Sequence, residues 1–156
     1  VSEELIFRGV LFRIVEEGCG TLAALAVSAA VFGGLHAWNP GASIASGTAI
    51  ALEAGILFGL AYAGSRTLWL PIGLHFGWNF AEGGIFGGAI SGFPAEGLLD
   101  VKLSGPDILT GGAFGPEASL VTLAVCLATS LILLLAIVRH GQWRGVRLSL
   151  RHPGGD

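Results

Sequence analysis

The chain has 156 residues, of which 53% are hydrophobic and only 12% charged, with a net charge of −3 and a mean hydropathy of +0.75. Soluble domains carry about 25% charged residues, so this composition points to a single α-helical membrane domain with roughly four or five spanning segments. No basic, aromatic-interleaved cluster of the kind that binds nucleic acid is present.

In chain order, residues 2–17 read as a helix of mixed faces. Leu5, Ile6, Val10, Leu11, Ile14 and Val15 are apolar, whereas Glu3, Glu4, Arg8, Arg13, Glu16 and Glu17 are not. Such a helix is too polar to meet lipid all round and needs cover from protein; Gly18 and Gly20 end it. Residues 21–38 form the first clear span, with His36 near its end, stopped by Asn39-Pro40-Gly41. A second span covers about 43–63 and carries Glu53 at its middle, where pairing with Arg66 or a place on a cavity wall would accommodate it. After the turn Gly64-Ser65-Arg66, a third apolar helix runs from Thr67 to about Ala81; Pro71 within its first turns predicts a kink or a late start.

From about 83 to 115 the composition shifts to Gly, Pro, Ser and acids, which reads as a long extramembrane loop, re-entrant in part; loops of this length are commonly functional or disordered. Pro116 suits a first helical position, and Ala118–Val138 is the plainest span. The run after it holds Arg139, Arg144, Arg147 and Arg151, with His140 and His152. A basic flank of this kind marks the cytoplasmic side, and we expect a multi-pass protein of the plasma membrane with a cytoplasmic C-terminal tail, 139–156. The chain opens on a charged motif without an initiating Met, as a fragment lacking N-terminal helices would. Cys19 and Cys126 read as small apolar helix residues rather than a redox or metal pair. Phe7, Phe32, Trp69, Phe76, Trp78 and Phe80 read as packing and interface groups.

Ionisable groups inside a bilayer cost about 2.5–3.5 kcal/mol each at a helix centre on the insertion scale, and their default reading is a functional site facing a wet cavity. Here they recur at helical spacing. Glu4 and Arg8 are four apart and can pair; Phe32 sits one turn below His36; His75 and Asn79 project together. Three helices can therefore bring a carboxylate, two imidazoles and a carboxamide to one point. A carboxylate and a histidine can hold and deprotonate water, and a second histidine with an asparagine can donate to an oxyanion. The structural alternatives are an ion pair for Glu4–Arg8, an interfacial histidine for His36 beside Trp38, and interhelical hydrogen bonds for His75 and Asn79, worth about 0.6 kcal/mol per contact.

Taken together, EExxxR (Glu3, Glu4, Arg8), FxxxH (Phe32, His36) and HxxxN (His75, Asn79) on successive apolar helices resemble the CPBP family. This family comprises CAAX-prenyl-protease-type and bacteriocin-processing intramembrane endopeptidases and is also called the Abi family. The resemblance covers about residues 2–81. It implies an intramembrane peptidase in which Glu3 activates water with His36, His75 and Asn79 stabilise the tetrahedral intermediate, and Glu4 and Arg8 support the first helix. It admits both a metal-free glutamate mechanism, the version we favour, and a Zn²⁺ enzyme with Glu3, His36 and His75 as ligands and a fourth position open. The expected partners are a protein or peptide substrate and the lipid bilayer. A CAAX prenyl protein, a bacteriocin leader and another membrane protein all remain open as substrate, and so does the oligomeric state. The rival readings are a non-enzymatic bacteriocin-immunity or peptide-binding protein and an ion-coupled transporter. Neither GxSxG, HExxH nor GxGD occurs, which disfavours other intramembrane hydrolases.

Overall fold

Glycine sets the first turn of the structure, a computed structural model that describes residues 1–146. The helical run Ser2–His36 is interrupted at Gly20, whose φ of 82° and ψ of 171° are not helical. A Cβ at this residue would lie 2.9 Å from the Arg144 carbonyl oxygen. Glycine is therefore required twice over, for a positive φ and for close backbone approach. The break folds the run into a hairpin of α1 (2–19) and α2 (21–36). Phe7 meets Phe32 edge-on at 5.0 Å, and Phe12 packs with Ala24 and Leu25, the pairing expected of antiparallel arms.

Next comes α3 (Ile44–Ser65), opened by a reciprocal cap in which Ser43 Oγ accepts from the Ser46 amide at 3.1 Å and Ser46 Oγ from the Ser43 amide at 2.8 Å, the capping-box device. It ends at Arg66 in the left-handed conformation. α4 (Trp69–Asn79) starts late enough that Pro71 lies in its first turn, where a missing N–H costs nothing. The helix continues through a π turn, Phe80–Ile85, three residues into the stretch that composition assigns to loop. Beyond it the chain is irregular apart from α5 (Asp107–Thr110) and two 3₁₀ turns, Gly112–Phe114 and Pro116–Ala118. Pro116 opens the second of these turns rather than the last helix itself. α6 (Leu120–Arg139) follows, capped by Ser119 Oγ on the Thr122 amide. Among the described residues there is no β-strand, and three helical runs are long and apolar enough to cross a membrane: Ser2–His36, Ile44–Ser65 and Leu120–Arg139. Arg147, Arg151 and His152 lie outside the described residues.

Small residues join α2 to α3. A Cβ on Gly33 would sit 2.3 Å from the Gly47 carbonyl oxygen, and one on Gly55 2.8 Å from Ala29 Cα. In lipid, helix association depends on this kind of backbone contact. At the opposite end from the site, buried Glu16 accepts from Thr21 at 2.7 Å and pairs with Arg66 and, at 3.5 Å, with Arg144. Arg66 is thereby committed to Glu16, and its expected pairing with Glu53 does not form. The segment 83–115 is tied down as well. Asn39 Nδ2 donates to the Ser91 carbonyl at 2.9 Å, the Gly92 amide to the Phe114 carbonyl at 2.8 Å, and Phe114 is buried with Phe7, Phe32 and Ile50.

Gly33→Leu should wedge α2 from α3 and lower stability by about 1–3 kcal/mol or more, read as a fall in the melting temperature of detergent-purified protein. Gly34→Leu is the control, because a Cβ there meets nothing within 4 Å; equal melting of the two variants would count against the crossing.

Candidate active site

The first turns of α1 carry both acids and the arginine. Glu3 and Glu4 lead into a π-helical stretch, Leu5–Phe12. Glu4 and Arg8 are both fully buried and pair at 3.0 Å. Arg8 Nη2 donates to the carbonyls of Ala54 and Gly55, at 3.0 and 3.2 Å, inside a second π turn, Ala51–Gly55. Its guanidinium lies 4.7 Å from the Phe32 ring centroid and 5.3 Å from that of Phe58. An arginine can stack and fork in this way; a lysine cannot.

Glu4 reaches beyond Arg8. Its Oε1 lies 2.8 Å from His75 Nδ1 on α4. Since Glu4 is ion-paired, it accepts, and His75 Nδ1 carries the proton. The His75 ring stacks on Phe58 at 5.1 Å, and its Nε2 stands 3.6 Å from Glu3 Oε2. Glu3, unlike Glu4, is half exposed. His36 closes α2 with its ring 4.5 Å from Phe32 and its Nδ1 2.7 Å from the Phe32 carbonyl oxygen. A carbonyl only accepts, so Nδ1 is the donor, and in the neutral ring Nε2 bears the free lone pair.

His36, His75 and Asn79 line one narrow cavity of about 30 Å³ together with Phe58 and Glu53. That volume accommodates a water. Of the residues singled out by sequence, the structure gathers these two imidazoles and the carboxamide on the cavity, with Glu4 and Arg8 packed behind them. Glu3 lies beside His75; it is in ion-pair reach of His75 and not of His36. Cys126 is buried against Leu57 and Phe58, and Cys19 is exposed.

The zinc alternative can be tested on the donors. His75 Nδ1 and His36 Nδ1 are both engaged, and among the described residues no three His, Cys, Asp or Glu side chains are spaced to hold a metal ion. Glu3, His36 and His75, as placed, do not form a three-donor set.

Sequence position leaves Glu53 to pair with Arg66 or to line a cavity, with no catalytic role, and gives no role to Glu82 and Glu117. Glu53 and Glu117 both line the cavity. Glu82 lies beside Glu117 and lines a second, wider chamber of about 740 Å³ walled by the 83–115 segment, with Trp78 common to both spaces. All three acids are at least nine-tenths buried. Of the placements open to an acid inside an apolar span, the cavity wall is the one Glu53 takes. Glu82 and Glu117 are hidden by their Gly- and Pro-rich surroundings.

Residues 1–81, just over half of the chain, match the family described as type II CAAX prenyl endopeptidase, Rce1-like, and the chain belongs to that family. No curated protein and no solved structure gave a match. With its membrane-length apolar helices, the protein is an integral membrane protein of a protease family.

Arg8→Ala would strip the buried Glu4 charge of its guanidinium partner, a loss of about 3–5 kcal/mol. Removing both charges, as Glu4→Gln with Arg8→Met, should cost less than Arg8→Ala alone. Chemical denaturation of the three proteins in detergent checks this, and a double variant at least as unstable as Arg8→Ala would contradict it.

Proposed function

We propose that the protein is an intramembrane endopeptidase that hydrolyses a peptide bond of a membrane-associated protein or peptide with a water activated by Glu3 and His36. One observation carries this reading: both imidazoles have Nδ1 committed, His36 to a carbonyl and His75 to a carboxylate. This leaves the two Nε2 atoms with different abilities.

His36 Nε2 can accept a hydrogen bond from water and orient its lone pair. The half-exposed Glu3 carboxylate takes the water's proton as the oxygen attacks the scissile carbonyl. His75 can donate from Nε2 only as an imidazolium, because its Nδ1 proton is already given to Glu4. Carboxylates flank the ring on either side, Glu4 at 2.8 Å and Glu3 at 3.6 Å. His75 and the Asn79 carboxamide then face the developing oxyanion. Arg8, Phe32 and Phe58 touch no reacting atom; they position Glu4 and His75. No step passes through a metal.

Glu3→Ala and His36→Ala should each lower peptide cleavage by at least 100-fold with unchanged membrane insertion, and zinc chelators should leave wild-type cleavage intact. Full activity in both variants would remove the mechanism, and loss of activity on chelation, restored by Zn²⁺, would replace it with the metal version.

The charge distribution supports an orientation. Arg66, Arg139 and Arg144 gather where α3 and α6 end and the α1–α2 hairpin turns, whereas Glu96, Asp100 and Asp107 lie on the 83–115 segment. By the positive-inside rule the arginine end is cytoplasmic, which fits a cytoplasmic C-terminal tail in the plasma membrane and turns the 83–115 segment to the opposite face. Exposed Cys19, near the hairpin turn, should then resist an impermeant thiol reagent added to intact cells, while a Ser104→Cys variant should react; the reverse pattern would invert the orientation.

A further inference from the structure

Glu53 stands at the centre of α3, in the π turn Ala51–Gly55, and is only 2% exposed. Within an α-helical context, π turns commonly mark functional positions. The side chain lines the same cavity as His36, His75 and Asn79, and its Oε2 has no hydrogen-bond partner among the described residues. No described cation forms an ion pair with it. A lone carboxylate in that place would be a buried charge with no compensation; a carboxylic acid instead has an O–H to offer the cavity.

A second pair of acids leads away from it. Glu117 shares the cavity wall with Glu53. Its Oε2 accepts from both the Ser91 amide and the Ser91 hydroxyl at 2.6 Å. Glu82, whose Oε2 accepts from Trp78 Nε1 at 2.9 Å, lies beside Glu117. Two neighbouring carboxyl groups can share a proton and pass it on. Glu82 opens on the wide outer chamber. The acids thus step from the catalytic cavity to a space that water can enter.

We infer that Glu53 is a further catalytic acid: it protonates the departing amine, and the Glu117–Glu82 pair returns a proton to it from the outer chamber. The inference rests on the peptidase reading. In the step, the C–N bond of the tetrahedral intermediate breaks, its electron pair passes to nitrogen, and nitrogen takes the Glu53 proton. The Glu53 carboxylate is reprotonated through Glu117 and Glu82, and Glu3 releases the proton gained from water. The sum is peptide plus water to carboxylic acid plus amine.

The test compares a fluorogenic membrane peptide cleaved by the wild-type chain with the same peptide carrying a thioester at the scissile bond, whose leaving thiolate needs no proton. Glu53→Gln should lower kcat for the amide by 100-fold or more and for the thioester by less than tenfold. Equal losses on the two substrates, or none on either, would overturn the inference. If Glu53→Gln fails to fold, judged by thermal melting, Glu82→Gln decides the matter. It lies outside the cavity lining and should likewise slow the amide reaction selectively, and an unchanged amide-to-thioester ratio there would also overturn it. Glu3→Gln and His36→Ala, run alongside, should lose both substrates. Retention of both by these two variants would mean that the peptidase reading itself has failed, a result distinct from either outcome at Glu53.

Discussion

A buried guanidinium organises this protein. Arg8 is withdrawn wholly from solvent and is held by Glu4, by two carbonyls of α3 and by the faces of Phe32 and Phe58. Each contact reaches a different part of the fold: α1 itself, α2 through Phe32, and α3 through Ala54, Gly55 and Phe58. α4 joins through the Glu4 oxygen that also meets His75. A charge removed from water is tolerable only with compensation on this scale. The compensation can be satisfied in one mutual arrangement of the four helices. The ion pair is therefore weak evidence for stability, but it specifies geometry, and geometry is what a site assembled from three helices requires.

That arrangement depends in turn on how closely α2 and α3 approach. The carbonyls that receive Arg8 belong to Ala54 and Gly55, and Gly55 is one of the residues over which α2 crosses, in contact with Ala29. A larger residue would push the α3 backbone outward and carry the arginine's acceptors with it. The π turn has a related effect. Its i→i+5 bonding widens the helix locally and changes which carbonyls face α1. Buried acids accompany all three π stretches: Glu4 just before the first, Glu53 within the second, Glu82 within the third. Local loosening of the helical ladder and the placing of polar groups in an apolar interior coincide here.

Sequence patterns reach far into this fold because the bilayer leaves few options. Apolar length, the glycines at 18 and 20, the Asn-Pro-Gly stop and the four-residue spacings suffice for the hairpin, the helices and the convergence of His36, His75 and Asn79. Two things escape them. Periodicity of 3.6 assumes α-geometry, so a π turn shifts the face on which every later residue lies, and nothing in LIFRGVLF or ALEAG announces one. The other is partner choice. Arg66 was an available cation for Glu53 by sequence proximity, yet α1 brings Glu16 to it from fifty residues away, and this leaves Glu53 to the cavity. Glu82 and Glu117 were invisible for a compositional reason: glycine and proline around them describe a loop, while the burial of its Phe114 against Phe7, Phe32 and Ile50 and the hydrogen bond from Asn39 make that loop part of the interior.

In the reaction proposed above, the two histidines divide the labour according to what stands behind each of them. Both are held at Nδ1, and a ring held there can use only Nε2. Behind His36 is a neutral carbonyl, which fixes the tautomer and adds no charge, so Nε2 keeps a lone pair suited to receiving a hydrogen bond from water. Behind His75 is a carboxylate, itself held by a buried arginine, which takes the Nδ1 proton and stands as counter-ion to a ring that donates from Nε2. The same side chain thus serves as acceptor in one place and donor in the other. Exchange of the two backing groups would exchange the two functions without moving either imidazole, and for this reason the EExxxR segment belongs to the chemistry as much as to the scaffold.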